Sequence, residues 1–306
     1  GGYAMNDQSL FLAIDVGTGS VRAALVDRSG AILKLVGREH QQIVPHYGWA
    51  EQRPEDWWSG ATSVIRQVLA AVPDAANRIE AVCACGQMHG TVLIDSAGQL
   101  TRDTAPLWND KRALPQVAAF RKSHPSDLYL AATANPPTPA WPGFKLQWMK
   151  ANDPDAYASA STVFMPKDYI NFRLCGERAM DWTDASISFM MNPATRDWSP
   201  RLLEMLGLDR AKLPPIRSPL EVLGAVTDAA AAASGLRKGT PVLVGGGDYP
   251  VSMIGSGVVS AGTGSDITGT SSIITVLANT PMLHPEVSNV ATMDGLWGRF
   301  MLLDSG

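Results

Sequence analysis

The chain has 306 residues, of which 45% are hydrophobic and 18% charged, and its formal net charge is −4. This length suits two domains, or one domain and part of another, and the apolar content excludes a disordered chain. Because acidic residues outnumber basic ones, no basic surface is available for a polyanion, and we expect no nucleic-acid partner.

The chain starts with three strand-like segments separated by turns. Residues 10–16, 21–26 and 31–36 are short apolar runs, and polar, glycine-containing turns at 17–20 and 27–30 separate them. Short turns join antiparallel neighbours. We therefore predict an opening antiparallel meander.

The apolar period changes to that of a helix after Pro54. Apolar residues from Trp57 to Val72 follow helical spacing, and Pro54 and two acids occupy the first turn. Residues 79–85 and 92–94 are predicted as strands and 111–121 as a helix. Alternation of strands and helices of this kind indicates an α/β domain.

The middle of the chain, about 123–219, has weaker periodicity and is interpreted as an elaboration on the core. It contains predicted helices at 144–151, 167–174 and 199–206. A helix at 228–234 and a buried strand at 241–244 follow, and the strand leads into Gly-Gly-Gly-Asp at 245–248.

A second turn late in the chain resembles the first. Residues 266–272 and the apolar run after them repeat the pattern of 15–20 and 21–26. This weak duplication predicts two related domains, at 9–250 and 251–306. Residues 1–8 are predicted to be a tag remnant and a disordered start, since four residues precede Met5.

Cysteine content and apolar runs bear on location. Three cysteines cannot make a disulfide framework, and the one-residue spacing of Cys83 and Cys85 does not suit zinc. The two are predicted to be small core residues of a reduced, intracellular protein. No apolar run reaches the length of about 18 residues that a membrane-spanning helix needs, and no secretory signal pattern occurs. We expect a cytoplasmic protein without a membrane partner.

The turn at residues 15–20, Asp-Val-Gly-Thr-Gly-Ser, is the first candidate site. Glycines free backbone N–H groups to face a phosphate, hydroxyls add donors, and the Asp15 carboxylate could hold a hydrated Mg²⁺. A hairpin turn without a ligand is the alternative interpretation. The related turn at Gly269 and Thr270 favours a nucleotide held between two such turns.

Three further segments carry polar groups suited to a substrate. Asp248 follows a buried strand and three glycines and could accept a proton from a hydroxyl, although a glycine-rich turn would explain it equally well. Residues 87–90 place an amide, a thioether and an imidazole at a strand end, and 108–112 offer a ring and polar groups of the kind that bind sugars. A structural histidine and a solvated loop are the respective alternatives.

Several enzyme classes lose support because their motifs are missing. The chain has neither a G-x-x-x-x-G-K-[ST] loop nor G-x-G-x-x-G, and it lacks the His-Arg-Asp and Asp-Phe-Gly motifs of protein kinases. The two Asp-containing turns loosely resemble those of aspartic proteases, but neither has the Asp-Thr/Ser-Gly order, and the predicted helix after Pro54 does not fit that nearly all-β fold.

Taken together, the motifs resemble the FGGY family of carbohydrate kinases, and its xylulokinase-like branch most closely. Seven segments occur in family order and cover nearly the whole chain: 14–18, 48–58, 86–90, 108–110, 166–169, 245–248 and 269–271. Glycerol kinases carry a different sequence where this chain has Gln-Met-His-Gly, which favours a ketose. The resemblance implies an α/β, ribonuclease H-like (actin-type ATPase) fold, with a complete first domain and the start of a duplicated second.

The resemblance also implies a reaction and its residues. ATP, with Mg²⁺, would transfer its γ-phosphoryl group to a terminal hydroxyl of a ketopentose such as xylulose or ribulose, or of a sugar alcohol, with Asp248 as general base. Asp15 and Asp248 would hold Mg²⁺ through water. The predicted nucleotide site comprises Asp15, Gly17, Thr18, Gly19, Gly269 and Thr270. The predicted substrate site comprises Gln87, Met88, His89, Trp108, Asn109, Asp110 and Asp248.

Two departures from the family pattern leave alternatives open. Tyr249 stands where xylulokinases usually carry Asn, which affects the sugar site. Family members continue well past the last residue of this chain, so we expect a fragment that binds sugar without transferring phosphate. A non-catalytic sugar-binding relative is the other reading, and a homodimer is an open alternative to a monomer.

Overall fold

The computed structural model describes residues 8–268 and 271–304, and its strands are short and numerous. They are β1 (Leu10–Val16), β2 (Ser20–Asp27), β3 (Ile32–Glu39), β4 (Glu51–Gln52), β5 (Ile79–Gly86), β6 (Val92–Ile94), β7 (Ala105–Pro106), β8 (Thr162–Phe164), β9 (Met180–Asp181), β10 (Met191–Asn192), β11 (Asp197–Trp198), β12 (Ile216–Arg217), β13 (Val222–Ala225), β14 (Pro241–Leu243), β15 (Gly246–Gly247), β16 (Gly264–Thr268), β17 (Ser271–Ala278), β18 (Ser288–Ala291) and β19 (Trp297–Asp304).

The helices lie within the first 255 residues, mainly between strands. They are α1 (Pro54–Ala71), α2 (Ala75–Arg78), α3 (Leu114–Ser123), α4 (Ser126–Thr133), α5 (Pro142–Asn152), α6 (Pro154–Ser159), α7 (Pro166–Cys175), α8 (Trp182–Ser186), α9 (Pro200–Leu206), α10 (Asp228–Ser234) and α11 (Asp248–Gly255), with a 3-10 turn at Arg210–Lys212.

The main sheet is mixed, and its order is β13-β14-β5-β1-β2-β3. β1, β2 and β3 form the predicted antiparallel meander, which is confirmed. β5 lies parallel to β1 and to both β14 and β15. The carboxyl ends of β1, β5 and β15 therefore lie at the same edge of the sheet. Carboxyl ends of parallel strands meeting at one edge form the usual ligand crevice of an α/β sheet.

Helix α1 covers one face of this sheet, as its apolar spacing predicts. Trp57, Ala61, Val64, Ile65 and Val68 are all buried, and they join the core formed with β1, β2 and β5. Pro at the first helical positions and acids in the first turn suit the helix N-terminus. The local pattern and the packing therefore agree.

The middle segment and the end of the chain share a second apolar cluster. Phe120, Phe144 and Phe189 pack there with ring centroids 4.9–5.4 Å apart. Leu277 and Trp297, from a separate four-stranded sheet in the order β16-β17-β19-β18, pack into the same cluster.

Two details differ from the sequence predictions. Helix α3 begins at Leu114 rather than Lys111, because residues 108–113 form turns around the Asp110–Arg112 ion pair. Cys83 and Cys85 are half-buried rather than core residues, since Val82 and Ala84 are the residues of β5 that enter the core. Among the described residues, no helix combines the length and apolar character needed to cross a bilayer.

Candidate active site

Two carboxylates meet at the edge where the parallel strands end. The strand register aligns Asp15 of β1 with Cys85 of β5, and Cys85 in turn with Gly246 of β15. Asp248, two residues after Gly246, is the first residue of α11. Two strand pairings thus bring together Asp15 and Asp248, which are 233 residues apart in the sequence.

The environment of Asp248 opposes its negative charge. Burial raises the pKa of Asp248 to about 7, and the nearby Asp15 contributes to the same shift. Burial also raises the pKa of Asp15, against a hydrogen bond from the Cys85 thiol. One oxygen of Asp15, Oδ1, is buried without a hydrogen-bond partner. The pair therefore offers a base that titrates near neutral pH and a free carboxylate oxygen beside it.

Three consecutive glycines allow the chain to reach this position. Gly245 has φ +69°, and a Cβ atom there would lie 2.0 Å from the Ala84 carbonyl oxygen. A Cβ atom on Gly247 would lie 2.5 Å from Cε of Met88. The glycines therefore permit close packing between β15, β5 and the Met88 side chain.

His89 lies beside Met88 with a neutral ring. Burial, followed by the charge of Lys145, lowers the pKa of His89 to about 3, although the backbone of Ile187 opposes the shift. The ring packs edge-on against Trp141 with centroids 5.0 Å apart, while its buried Nδ1 has no partner. An unpartnered nitrogen of this kind can bind a ligand hydroxyl.

Lys145 supports the backbone of this segment. His89 has φ +73°, an uncommon conformation for a residue other than glycine, and the Lys145 ammonium donates to its carbonyl oxygen at 2.9 Å. Lys145 is fully buried, and burial lowers its pKa to about 7. The role of Lys145 could not be predicted from sequence, because its partner lies 56 residues away.

The first predicted phosphate turn is held by a polar network. The Thr18 carbonyl accepts from Nε2 of Gln52 at 2.6 Å, and its hydroxyl accepts from the Trp108 indole at 2.9 Å. Gln87 is buried and donates to Oε1 of Gln52 at 2.8 Å, while its own Oε1 accepts from the Thr18 hydroxyl at 3.3 Å. Both Gln87 and Trp108 therefore contact the turn itself. A direct contact of either residue with substrate stays a prediction.

The other turn residues differ in exposure. Gly17 and Thr18 are half-buried and Gly19 is exposed. The matching residues Gly269 and Thr270 lie outside the described part of the chain. The strands on either side of them, β16 and β17, form an antiparallel pair like β1 and β2, as the repeat predicts.

Asp110 is occupied by protein partners. Its carboxylate accepts from Arg112 at 2.8 and 2.9 Å and from the Ala50 N–H at 2.7 Å. The Arg112 guanidinium lies 3.9 Å from the centroid of Trp49. Neighbouring Asn109 has a buried Oδ1 without a partner. Asn109 rather than Asp110 therefore has a free polar atom.

A buried charged cluster near Asp248 was not among the predicted site residues. The Lys167 ammonium is 2.6 Å from both Asp168 and Asp181, and all three side chains are fully buried. Burial opposes the charge of Lys167, yet Asp168 and Asp181 raise its pKa overall. The sequence signal for this cluster was the charged pair Lys167 and Asp168 near the start of α7.

Comparison with known proteins places these features in a family. Residues 10–255 match the model of the FGGY family of carbohydrate kinases, N-terminal domain, and the chain belongs to this family. A xylulose kinase structure from Rhodospirillum rubrum is similar, with a TM-score of 0.91 and 29% identity over 96% of this chain and 60% of its own. The predicted α/β, ribonuclease H-like (actin-type ATPase) fold class is thereby confirmed, and the all-β aspartic protease alternative is excluded.

The curated relatives are named as two different kinases. An autoinducer-2 kinase of Klebsiella pneumoniae is 37% identical over 86% of this chain and 50% of its own length. A xylulose kinase of Bacillus subtilis is 29% identical over 86% of this chain and 52% of its own length. The chain spans about half the length of these relatives.

Proposed function

We propose that the full-length protein containing this chain is an ATP-dependent carbohydrate kinase that phosphorylates a terminal hydroxyl of a ketopentose such as xylulose or ribulose. The observation that carries the proposal is the Asp248 carboxylate, with a pKa of about 7, which lies beside Asp15 and directly follows Gly247, the glycine that packs on Met88. A general base acts best when its pKa lies near the working pH.

In the proposed reaction, Asp248 accepts the proton of the sugar hydroxyl as the oxygen of that hydroxyl attacks the γ-phosphorus. The new P–O bond forms while the bond to the β-phosphate oxygen breaks, ADP leaves, and the proton stays on Asp248 until it passes to solvent. Met88 gives the sugar an apolar contact, and Nδ1 of His89 accepts from a sugar hydroxyl. Such transfer depends mainly on alignment and charge stabilisation.

The residues present fit a hydrated Mg²⁺. Asp15 has a buried, unpartnered oxygen and lies close enough to Asp248 to raise the pKa of that carboxyl. Carboxylate oxygens and water are the ligands that Mg²⁺ prefers. We assign Asp15 and Asp248 to this ion, which when bound would neutralise charge on the phosphates. Gly17, Thr18 and Gly19 face phosphate in this proposal, as do Gly269 and Thr270 on the strength of the repeat.

A second acceptor is favoured by one finding. The relative with 37% identity is named an autoinducer-2 kinase, whereas the xylulose kinases of Bacillus subtilis and Escherichia coli are 29% identical. Autoinducer-2 is therefore the second candidate substrate. The predicted partition into 9–250 and 251–306 is retained as part of the proposal, with the sugar site in the first part.

The test is phosphate transfer by the full-length protein across a panel of acceptors. ADP release would be measured with xylulose, ribulose, their sugar alcohols, glycerol and autoinducer-2. We expect the highest kcat/KM with a ketopentose. A preference for autoinducer-2 would reassign the substrate. Calorimetric sugar binding without any ADP release would instead support the non-catalytic alternative.

A further inference from the structure

Thr183 connects the buried charged cluster to the backbone beside Asp248. Its hydroxyl oxygen accepts from the Gly247 N–H at 3.0 Å. The same hydroxyl donates to Oδ2 of Asp181, which also accepts from the Thr183 N–H at 2.7 Å. Thr183 is completely buried. One side chain therefore links the residue before Asp248 to a fixed acceptor.

The acceptor is itself held in place. Oδ1 of Asp181 accepts from the Lys167 ammonium at 2.6 Å, so both oxygens of this carboxylate are bound. Asp181 and Lys167 are both fully buried. Lys167 also packs close to β5, since a Cβ atom on Gly86 would lie 3.1 Å from its own Cβ. A rigid anchor of this kind fixes the Thr183 hydroxyl in one orientation.

The Gly247 peptide is the point at which this anchor affects the site. Gly247 is the residue immediately before α11, and Asp248 is the first residue of that helix. On one side Gly247 is confined by Met88, and on the other its N–H is bound by Thr183. Gly247 also pairs with Gly86 of β5, but as a glycine it has a wide choice of φ and ψ, and rotation about these angles would redirect the Asp248 carboxylate.

We infer that Thr183, anchored by Asp181 and Lys167, is a positioning residue that fixes the Gly247 peptide and thereby aims the Asp248 carboxylate at the substrate hydroxyl. This inference rests on the proposed function. Thr183 touches neither substrate nor nucleotide in this assignment and acts only through Gly247. Its contribution should appear in turnover and not in sugar affinity.

The test compares Thr183→Val, which keeps the shape and removes the hydroxyl, with Thr183→Ser, which restores it. Thr227→Val is the matched control, because Thr227 also accepts a backbone N–H, from Ala230, at the start of α10. In the full-length protein we expect kcat of T183V to fall on the order of 10-fold to 100-fold, with KM for sugar within about threefold. T183S and T227V should keep kcat within about threefold of wild type.

A second readout does not need turnover. Amide hydrogen exchange at Gly247, followed by NMR, should be at least about tenfold faster in T183V than in wild type or T183S. Unchanged Gly247 protection in T183V, unchanged kcat in T183V, or a T183S as impaired as T183V would each overturn the inference. A wild-type protein that turns over no acceptor would refute the proposed function, and the Gly247 exchange rates would still decide whether Thr183 fixes this peptide.

Discussion

At the residue scale, the surroundings of Asp248 disfavour the charge that its proposed role as a base requires. Burial and the proximity of Asp15 raise its pKa to about 7, so its charged form is disfavoured by the same surroundings that make it a base at neutral pH. In the unfolded chain an aspartate titrates near 3.9. The folded state therefore loses stability as pH rises from about 4 to about 7, and the full cost of the charged carboxylate remains above pH 7.

Asp248→Asn should separate these two effects. We expect kcat of the full-length protein to fall by about 10² to 10⁴, because a positioned base is lost, while sugar affinity changes little. At pH 8 the Tm should rise on the order of 2 °C, because no buried charge remains. Steady-state kinetics and thermal unfolding would measure both. Asp103→Asn, at an exposed position, is the control and should alter neither kcat nor Tm. Near wild-type turnover in D248N would remove Asp248 from the mechanism.

The pH dependence of the reaction should show the same group. A base must be deprotonated to act, so kcat/KM for sugar should rise with pH through a pKa of about 7 and reach a plateau above it. His89 adds no limb in this range, since burial lowers its pKa to about 3. Burial lowers the pKa of Lys145 to about 7, but its neutral amine still donates to the His89 carbonyl, so its titration should change the rate little. Initial rates between about pH 5.5 and 8.5 would measure the curve. A flat profile across that range would contradict the assignment of Asp248 as base.

At the element scale, the short strand β15 and the helix after it deliver Asp248 to the site. Gly247→Ala would place a Cβ atom 2.5 Å from Met88, so Met88 must move or β15 must shift away from β5. We expect KM for sugar to rise and kcat to fall, each by about tenfold, because both the sugar contact and the base are displaced. Gly255→Ala in α11, where a Cβ atom meets open space, is the matched control.

The G255A control should retain wild-type kinetics. If G247A also had unchanged KM and kcat, the packing of Met88 on β15 would be unimportant for the reaction. Isothermal titration with sugar would confirm that any rise in KM reflects weaker binding. Thermal unfolding of both variants would separate a local displacement from a general loss of structure.

The elements that could be predicted from sequence are those set by local patterns. The spacing from Trp57 to Val68 placed α1 correctly, and short turns placed β1, β2 and β3, because neighbours in sequence decide these features. The site was predicted from its glycines and from family resemblance. The anchor of Lys167 and Asp181 was not, because burial of a lysine depends on partners that only the folded chain brings close.

At the scale of the whole molecule, the second sheet is bound to the middle segment by hydrogen bonds as well as apolar packing. Asn289 of β18 is completely buried, and its N–H donates to Oδ1 of Asn135 at 2.7 Å. Asn135 returns a bond to the Asn289 carbonyl at 3.1 Å, and the Asn289 amide donates to Ala134 at 2.6 Å. These contacts cross the predicted boundary near residue 251.

We therefore predict that the two sheets unfold together and that Asn289→Ala weakens both. The change removes side-chain hydrogen bonds to Ala134 and Met282 and leaves the carbonyl of the buried Ala134 without this partner. The free energy of unfolding should fall by about 2 to 4 kcal/mol, with a single transition in urea by tryptophan fluorescence and by circular dichroism. Asn77→Ala, at an exposed position, should cost less than about 0.5 kcal/mol. Two separated transitions in wild type or N289A would mean that residues 251–306 fold independently of the middle segment.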